Sequence, residues 1–539
     1  MVGRGAAVTR RTTLALGAFP AAFLALFFVW PVASIIATGL VRGGFAAVGR
    51  VLGDGHLAGV VWFTVWQAAV STILTIVVAL PATWVLSRFD VPGRSLMRAA
   101  TTIPFVMPTV VVATAFLALL GPTGLLGVDL QGTVWIVLAA HVFFNLAVVV
   151  RLVGGVWAHL DPRLEDAGRS LGASPWSVFH RVTLPLLRPA LAAAASIVFL
   201  FSLTSFGTVL ILGSPRLATV EVEIYRRSAL LLDLPAASIL AILQMIGVIG
   251  ALIAYSRYQE RHSVEQALRP AGETARRPRS RREWSLVVGI LGATGAFVAG
   301  PLGILVWRSF TVTGRFGLDA YRALANGEVV SVGTAAGNSI GFAMAATLLA
   351  LAVGMPAAVL VAAKRGRLSR WFDTLLMLPL GTSAVTIGFG FVVALDWPVD
   401  LRASIILVPI AHALVAAPFV FRSALPVLRT IRGSLRDAAA TLGAGPGRVW
   451  REVDLPIVAR VGAVGAAFAF AVSLGEFGAT LFLARPGSPT IPIAIYRFLG
   501  RPGALNLGRA TALSVVLMII TAAAVGVVER LRPPGPGLF

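Results

Sequence analysis

Long apolar runs alternate with short polar stretches along the whole 539-residue chain. They fall at about residues 14–40, 58–86, 97–121, 132–158, 190–213 and 236–255. After a basic stretch come 284–307, 336–363, 371–395, 402–427, 460–484 and 508–528. Each can cross a bilayer, which takes about 20 helical residues. The runs are continuously apolar and lack the alternation of barrel strands, so helices are expected. Ala, Gly, Val and Leu fill them, as where small residues let helices pack closely in lipid. The pattern predicts an all-α polytopic membrane protein with about twelve spans. Its first half is 1–255, its linker 256–283 and its second half 284–539. The first run follows Arg4, Arg10 and Arg11, which also suits a twin-arginine or secretory signal. It exceeds a signal's apolar region, so an uncleaved first helix is expected.

The halves repeat. Asp166, Leu171, Gly172, Ala173, Val182, Leu184 and Pro185 recur 271 positions on as Asp437, Leu442, Gly443, Ala444, Val453, Leu455 and Pro456. At the same offset His141 and Arg151 match His412 and Arg422, and Ser202-Leu203 and Phe206-Gly207 match Ser473-Leu474 and Phe477-Gly478. Further upstream the offset is 275, where Pro81, Pro104 and Phe116 match Pro356, Pro379 and Phe391. With an even number of helices per half, the repeat is parallel, about an axis along the membrane normal.

Composition agrees: 57% of residues are hydrophobic, 13% are charged and the mean hydropathy is +0.87. That excludes a soluble domain and a disordered chain. The net charge of +22 comes from arginines in alternate loops, so nucleic acid is not an expected partner. Arg88, Arg94 and Arg98 flank the second loop, and Arg163, Arg169, Arg181 and Arg188 lie around the fourth. The linker and Lys364-Arg365-Gly366-Arg367 are basic too, whereas 121–131 has no basic residue. Even loops and both termini are therefore expected in the cytoplasm. The chain has no Cys, and its six His show no metal-ligand spacing. Lys364 is the sole lysine and lies outside any GxxxxGK[ST] phosphate loop, so ATP would have to be handled by another chain.

The repeated polar islands, 163–189 and 434–460, carry helix punctuation. Asp161-Pro162 caps and starts a short helix, Gly172 ends it, and Ser174-Pro175 starts another. Leu184-Pro185 is expected to stop that helix and turn the chain into the membrane. Gly445 and Gly447 should weaken the second helix of the second island. Such a bent element, with Leu171 and Phe179 as apolar faces, suits docking of a cytoplasmic partner twice over; a plain connector needs no such spacing.

DAGRSLGA at 166–173 and DAAATLGA at 437–444, each followed by Leu-Pro, resemble the EAA loop of binding-protein-dependent ABC importer permeases. Asp stands where the family usually has Glu. Nearly the whole chain resembles the fused double permeases for thiamine, ferric iron, sulfate and molybdate. The resemblance implies a multi-pass protein of the bacterial plasma membrane and a small-molecule substrate delivered by an extracytoplasmic binding protein. It also implies two copies of a cytoplasmic ATPase that holds the ATP and Mg, with no cofactor, metal or catalytic residue on this chain. The ATPase-coupling residues would be Asp166, Ala167, Leu171, Gly172, Ala173, Leu184 and Pro185, with Asp437, Ala438, Leu442, Gly443, Ala444, Leu455 and Pro456. LAAHVFFNL at 138–146 and the stretch from Ser205 to Met245 look most like thiamine permeases, with iron(III) the alternative cargo.

Polar residues expected inside the membrane are Gln67, His141, Asn145, Gln244, Asn338 and Glu476. An ionisable group there is a functional candidate by default. Phe206, Glu476 and Phe477 are candidates for a gate or pathway, with a gate or packing role favoured over cation binding at Glu476. His141 and His412 suggest a shared packing role. Arg151 and Arg422 suit snorkelling. Glu221 and Glu223 fall in an expected outer loop, where they would meet the binding protein, a cation or solvent. The linker reads as a flexible joint open to anionic lipid headgroups. A secondary transporter of twelve helices would explain the repeat but not the paired islands. For a membrane scaffold or enzyme no site is visible.

Overall fold

A computed structural model describes residues 10–262, 274–312, 314–325, 330–363, 366–430 and 433–531. Arg4, Lys364, Arg365 and the middle of the linker, 263–273, lie outside them. Among the described residues ten helices are long and apolar enough to cross a membrane, or up to twelve when two bent pairs each count as one span. Most expected spans appear with small shifts: 58–86 as Gly55–Arg88, 132–158 as Val134–Trp157 and 402–427 as Leu407–Thr430.

Four expected spans are interrupted. The run at 97–121 is Arg94–Val106 followed by Thr109–Leu120, bent by 103°. At 371–395, Ser369–Gly381 and Ala384–Ala394 meet at 99°. Pro108 makes the first bend, since it has no N–H to give and pushes Met107 to extended geometry at ψ 138. Ser383 makes the second by accepting from the Thr386 amide at 3.0 Å. The runs at 190–213 and 460–484 hold full-length helices, Leu184–Leu203 and Leu455–Gly475. Each then breaks and restarts as a short helix, Gly207–Leu212 or Gly478–Leu483. The breaks leave no polar loop to mark them, because neighbouring side chains satisfy the freed backbone groups.

The chain packs as two compact units that cut across the sequence halves. One comprises residues 1–51, 224–242 and 317–538; the other comprises 52–223 and 243–316. In the first unit, helices Val332–Ala363, Leu407–Thr430 and Leu455–Gly475 share a core of small residues, Ala350, Ala357, Ala417 and Ala424 among them. At Gly354 a Cβ would lie 2.9 Å from the Val420 side chain, so only glycine permits this approach. The chain's first membrane helix, Leu16–Arg42, belongs here: Phe27 meets Phe391 at 6.1 Å and the Trp30 indole donates to the Ala394 carbonyl at 3.3 Å. In the other unit, Leu146, Val149 and Leu187 form a core with Val298 from helix Arg281–Ser309. Phe297 of that helix meets Phe143 at 6.0 Å. The opening helix of each half thus packs with the other half's helices.

Candidate functional site

The first polar island forms the bent element its punctuation predicts. Asp161 accepts from the Arg163 amide at 3.0 Å and starts helix Pro162–Ser170. Gly172 then takes φ +82, and the Ala173 amide reaches back to the Gly168 carbonyl at 3.1 Å. The second island repeats this closure: Gly443 has φ +81 and Ala444 donates to Ala439 at 3.0 Å. This is the glycine helix stop in which a left-handed residue lets late amides reach early carbonyls. The residue before each glycine points outward, Leu171 at 89% exposure and Leu442 at 88%. Two nearly bare leucines at equivalent turns of a polar element are unlike scattered surface apolar residues. Asp166 is exposed and pairs with Arg169 at 3.3 Å; Asp437 and Ala438 are exposed as well.

Three expectations for these elements change. Leu184-Pro185 and Leu455-Pro456 do not stop a helix. The chain from Pro175 to Leu203 is one helix with a wide π turn at Phe179–Thr183, and Pro446 onward repeats this with Trp450–Asp454. Each proline sits just past the wide turn, where the hydrogen-bond register shifts and its missing N–H is absorbed. Phe179 is not an outward face: it packs on Trp157 at 6.3 Å and is stacked by exposed Trp176 at 6.0 Å. Despite Gly445 and Gly447, the second short helix forms over Pro446–Val449, matching Pro175–Val178.

A further pair of ties is invisible in the sequence. Buried Arg88 donates to Glu165 at 2.7 Å and to the Leu160 carbonyl at 2.9 Å, and Thr183 donates to the same Glu165 oxygen at 3.1 Å. In the second island Arg436 donates to Asp454 at 2.8 Å. Residues 18 positions apart in a bent loop leave no periodic signal.

The membrane-depth polar residues, Asn338 apart, gather at the two helix breaks. Past Leu203 the chain leaves orphan carbonyls, which end every helix. Gln67 donates to the Ser202 carbonyl at 2.8 Å and Gln244 to the Leu203 carbonyl at 3.1 Å. His141 spans Ser71 at 3.0 Å and Ser205 at 2.8 Å, and Asn145 donates to the His141 carbonyl. At the other break Glu476 accepts from the Ala479 and Thr480 amides at 3.0 Å each and from the Thr480 hydroxyl at 2.7 Å. His412 Nε2 lies 2.7 Å from that hydroxyl and 3.2 Å from the carboxylate, and its Nδ1 is 2.7 Å from Ser473. Thr480 has one hydroxyl hydrogen; given to Glu476, it obliges His412 Nε2 to be the donor. Glu476 is therefore a buried cap of the restarted helix. Phe206 and Phe477 are buried at the same breaks, Phe477 edge-on to Tyr496 at 5.4 Å. Asn338 donates to the Pro489 carbonyl at 3.0 Å.

Arg151 reaches Thr102 at 3.2 Å and Arg422 reaches the Met377 sulfur at 3.0 Å, so each holds an equivalent neighbour as well as offering a charge at a helix end. Glu221 and Glu223 are no solvated face: both are buried, with His56 Nε2 3.9 Å from Glu223. The described end of the linker is strapped. Arg276 exchanges backbone hydrogen bonds with Arg88 and Asp90, lies over the Phe89 ring and pairs with Glu283 at 2.7 Å. Among the described residues no group of three or more His, Asp or Glu could hold a metal ion.

Comparison with known proteins accounts for the doubling. The family described as "Binding-protein-dependent transport system inner membrane component" matches residues 76–262 and again 350–533. The thiamine transport system permease protein ThiP of Brucella abortus (strain 2308) is 28% identical, with 97% of each chain covered. ThiP of Escherichia coli (strain K12) is 26% identical over 94% of this chain and 93% of its own. The sulfate transport system permease protein CysT of Escherichia coli (strain K12) is 30% identical, covering 46% of this chain and 92% of its own. One copy of the domain is thus about the size of that relative, and this chain carries two. The chain is a transport permease and a multi-pass inner-membrane protein, and it belongs to the family of binding-protein-dependent transport system inner membrane components.

Proposed function

We propose that this chain is the permease of an ATP-driven importer for thiamine, fed by an extracytoplasmic binding protein and moved by two copies of a separate cytoplasmic ATPase. The carrying observation is the pair of bent elements that present Leu171 and Leu442 at matching turns. A repeated apolar projection on a charged element suits insertion into an apolar groove of a partner, once per copy. On this reading both elements and both termini face the cytoplasm, in line with the arginine distribution. ATP and Mg bind the partner. Thiamine is preferred over iron(III) because relatives named for thiamine transport align along almost the whole chain. Phe206, Glu476 and Phe477 hold the helix breaks that border the route.

The test is co-purification with the ATPase, then thiamine uptake into vesicles with ATP inside and the binding protein outside. ATP-dependent thiamine uptake, lost in the Gly172→Pro Gly443→Pro variant although it still inserts, is the expected result. Uptake of iron(III) but not thiamine would overturn the substrate. Unchanged thiamine uptake in the double variant would overturn the docking role of the two elements.

A further inference from the structure

The two bent elements are each tied to the start of the following membrane helix at the same repeat positions, by opposite chemistry. In the first, Glu165 accepts from Thr183 at 3.1 Å. Adding the repeat offset gives Arg436 and Asp454, which pair at 2.8 Å. Acceptor and donor have traded places while the tie has stayed. Each tie crosses the glycine stop and lands within the wide π turn, on Thr183 or Asp454. That is where the element would hand its motion to helix Leu184–Leu203 or Leu455–Gly475.

We propose that Glu165–Thr183 and Arg436–Asp454 are braces that turn each bent element and its membrane helix into one lever, so that motor closure moves the helix and does not merely flex the glycine hinge. This rests on the coupling reading of the elements. Without the brace the element joins its helix through the glycine stop, whose backbone φ no side chain restrains, and through apolar packing such as that of Gly168 against Val178 and Val182. The braces are unequal. The first is fixed further by buried Arg88, which holds both Glu165 and the Leu160 carbonyl. At the corresponding place the second has Ala363, and its Arg436 side chain is 49% exposed. Losing Asp454 therefore opens the second brace, whereas losing Thr183 leaves Glu165 held by Arg88.

The experiment uses the full transporter, with ATPase and binding protein, in vesicles; it reads thiamine taken up per ATP hydrolysed. Asp454→Arg should lower that ratio about fivefold or more while the ATPase still co-purifies and hydrolyses ATP. Adding Arg436→Asp should restore at least half of it, and Arg436→Lys alone should stay near wild type. Thr183→Val, which keeps the side-chain shape, should lower the ratio about twofold, because Arg88 still holds Glu165. If uptake and hydrolysis fall together at constant ratio, or if the charge swap does not rescue, the residues only support the fold and the proposal is overturned. Should the wild-type ratio respond to Gly172→Pro Gly443→Pro but not to Asp454→Arg or Thr183→Val, the brace fails and the coupling reading stands. If neither set changes it, the coupling reading itself fails.

Discussion

The helix breaks after Leu203 and after Gly475 occupy the same place in the repeat and solve the same problem with different groups. Both must satisfy backbone atoms freed in an apolar region, where an unpaired polar group is costly. The first is neutral. Gln67 and Gln244 cover the outgoing carbonyls, and His141 lies between two serine hydroxyls. The second is built on a carboxyl group. Ser205 becomes Glu476, Val209 becomes Thr480, and Ser71 becomes Ala346. With Ser71 gone, His412 turns to Ser473, and the new carboxylate caps the incoming amides. A histidine shared by both copies thus does not imply a shared environment. The repeat preserves the position of a break and leaves its chemistry free.

The contrast should show first in stability. Glu476→Leu strands two buried amides and takes the carboxylate away from His412, so it should cost about 3–5 kcal/mol, as when one partner of a buried pair is removed. Thermal unfolding of the purified chain in detergent would check this, and a loss below about 1 kcal/mol would mean that the carboxylate is not the cap. Where the copies agree, substitutions should match. Gly172→Ala and Gly443→Ala should each lose about 1–2 kcal/mol, because both hold a left-handed backbone. A difference between them beyond error in the same melts would break the equivalence of the two stops. Ser205→Ala removes one neutral partner from His141 and should cost about 1 kcal/mol. A cost as large as that of Glu476→Leu would erase the distinction between the breaks. The smallest effects fall on a bond both halves keep: the Val220 amide donates to Thr64 at 2.9 Å and the Ile491 amide to Ser339 at 2.8 Å. Thr64→Val and Ser339→Ala should each cost about 0.5–1.5 kcal/mol, and equally. Amide exchange at Val220 and Ile491 would rise in parallel if so.

The repeat and most spans were legible because hydrophobic runs of bilayer length and a fixed offset survive in any register of side chains. The breaks were not. Hydropathy averages over residues and stays high through Thr204–Phe206, since the groups that close the gap, such as Gln67, come from far along the chain. Glu221 and Glu223 misled for the related reason that a carboxylate reads as exposed until its surroundings are known. The Leu171 and Leu442 projections were half legible: glycine fixed the turn, but only coordinates show which side chain the turn presents. Leu-Pro misled because proline after a polar stretch ordinarily marks a boundary, and here a wide turn lets the helix run on.

The exchange of opening helices has a consequence for biogenesis. The unit comprising 52–223 and 243–316 is made once synthesis passes Phe316, whereas helix Leu16–Arg42 packs both on Ser238 and Ile239 and on segments made only after Gly317. That span therefore completes its packing only after the later neighbours are translated. A gene cut at the linker would yield two polypeptides, each lacking a helix that the other carries. Co-insertion of both pieces, and not either alone, should rebuild the two packing units.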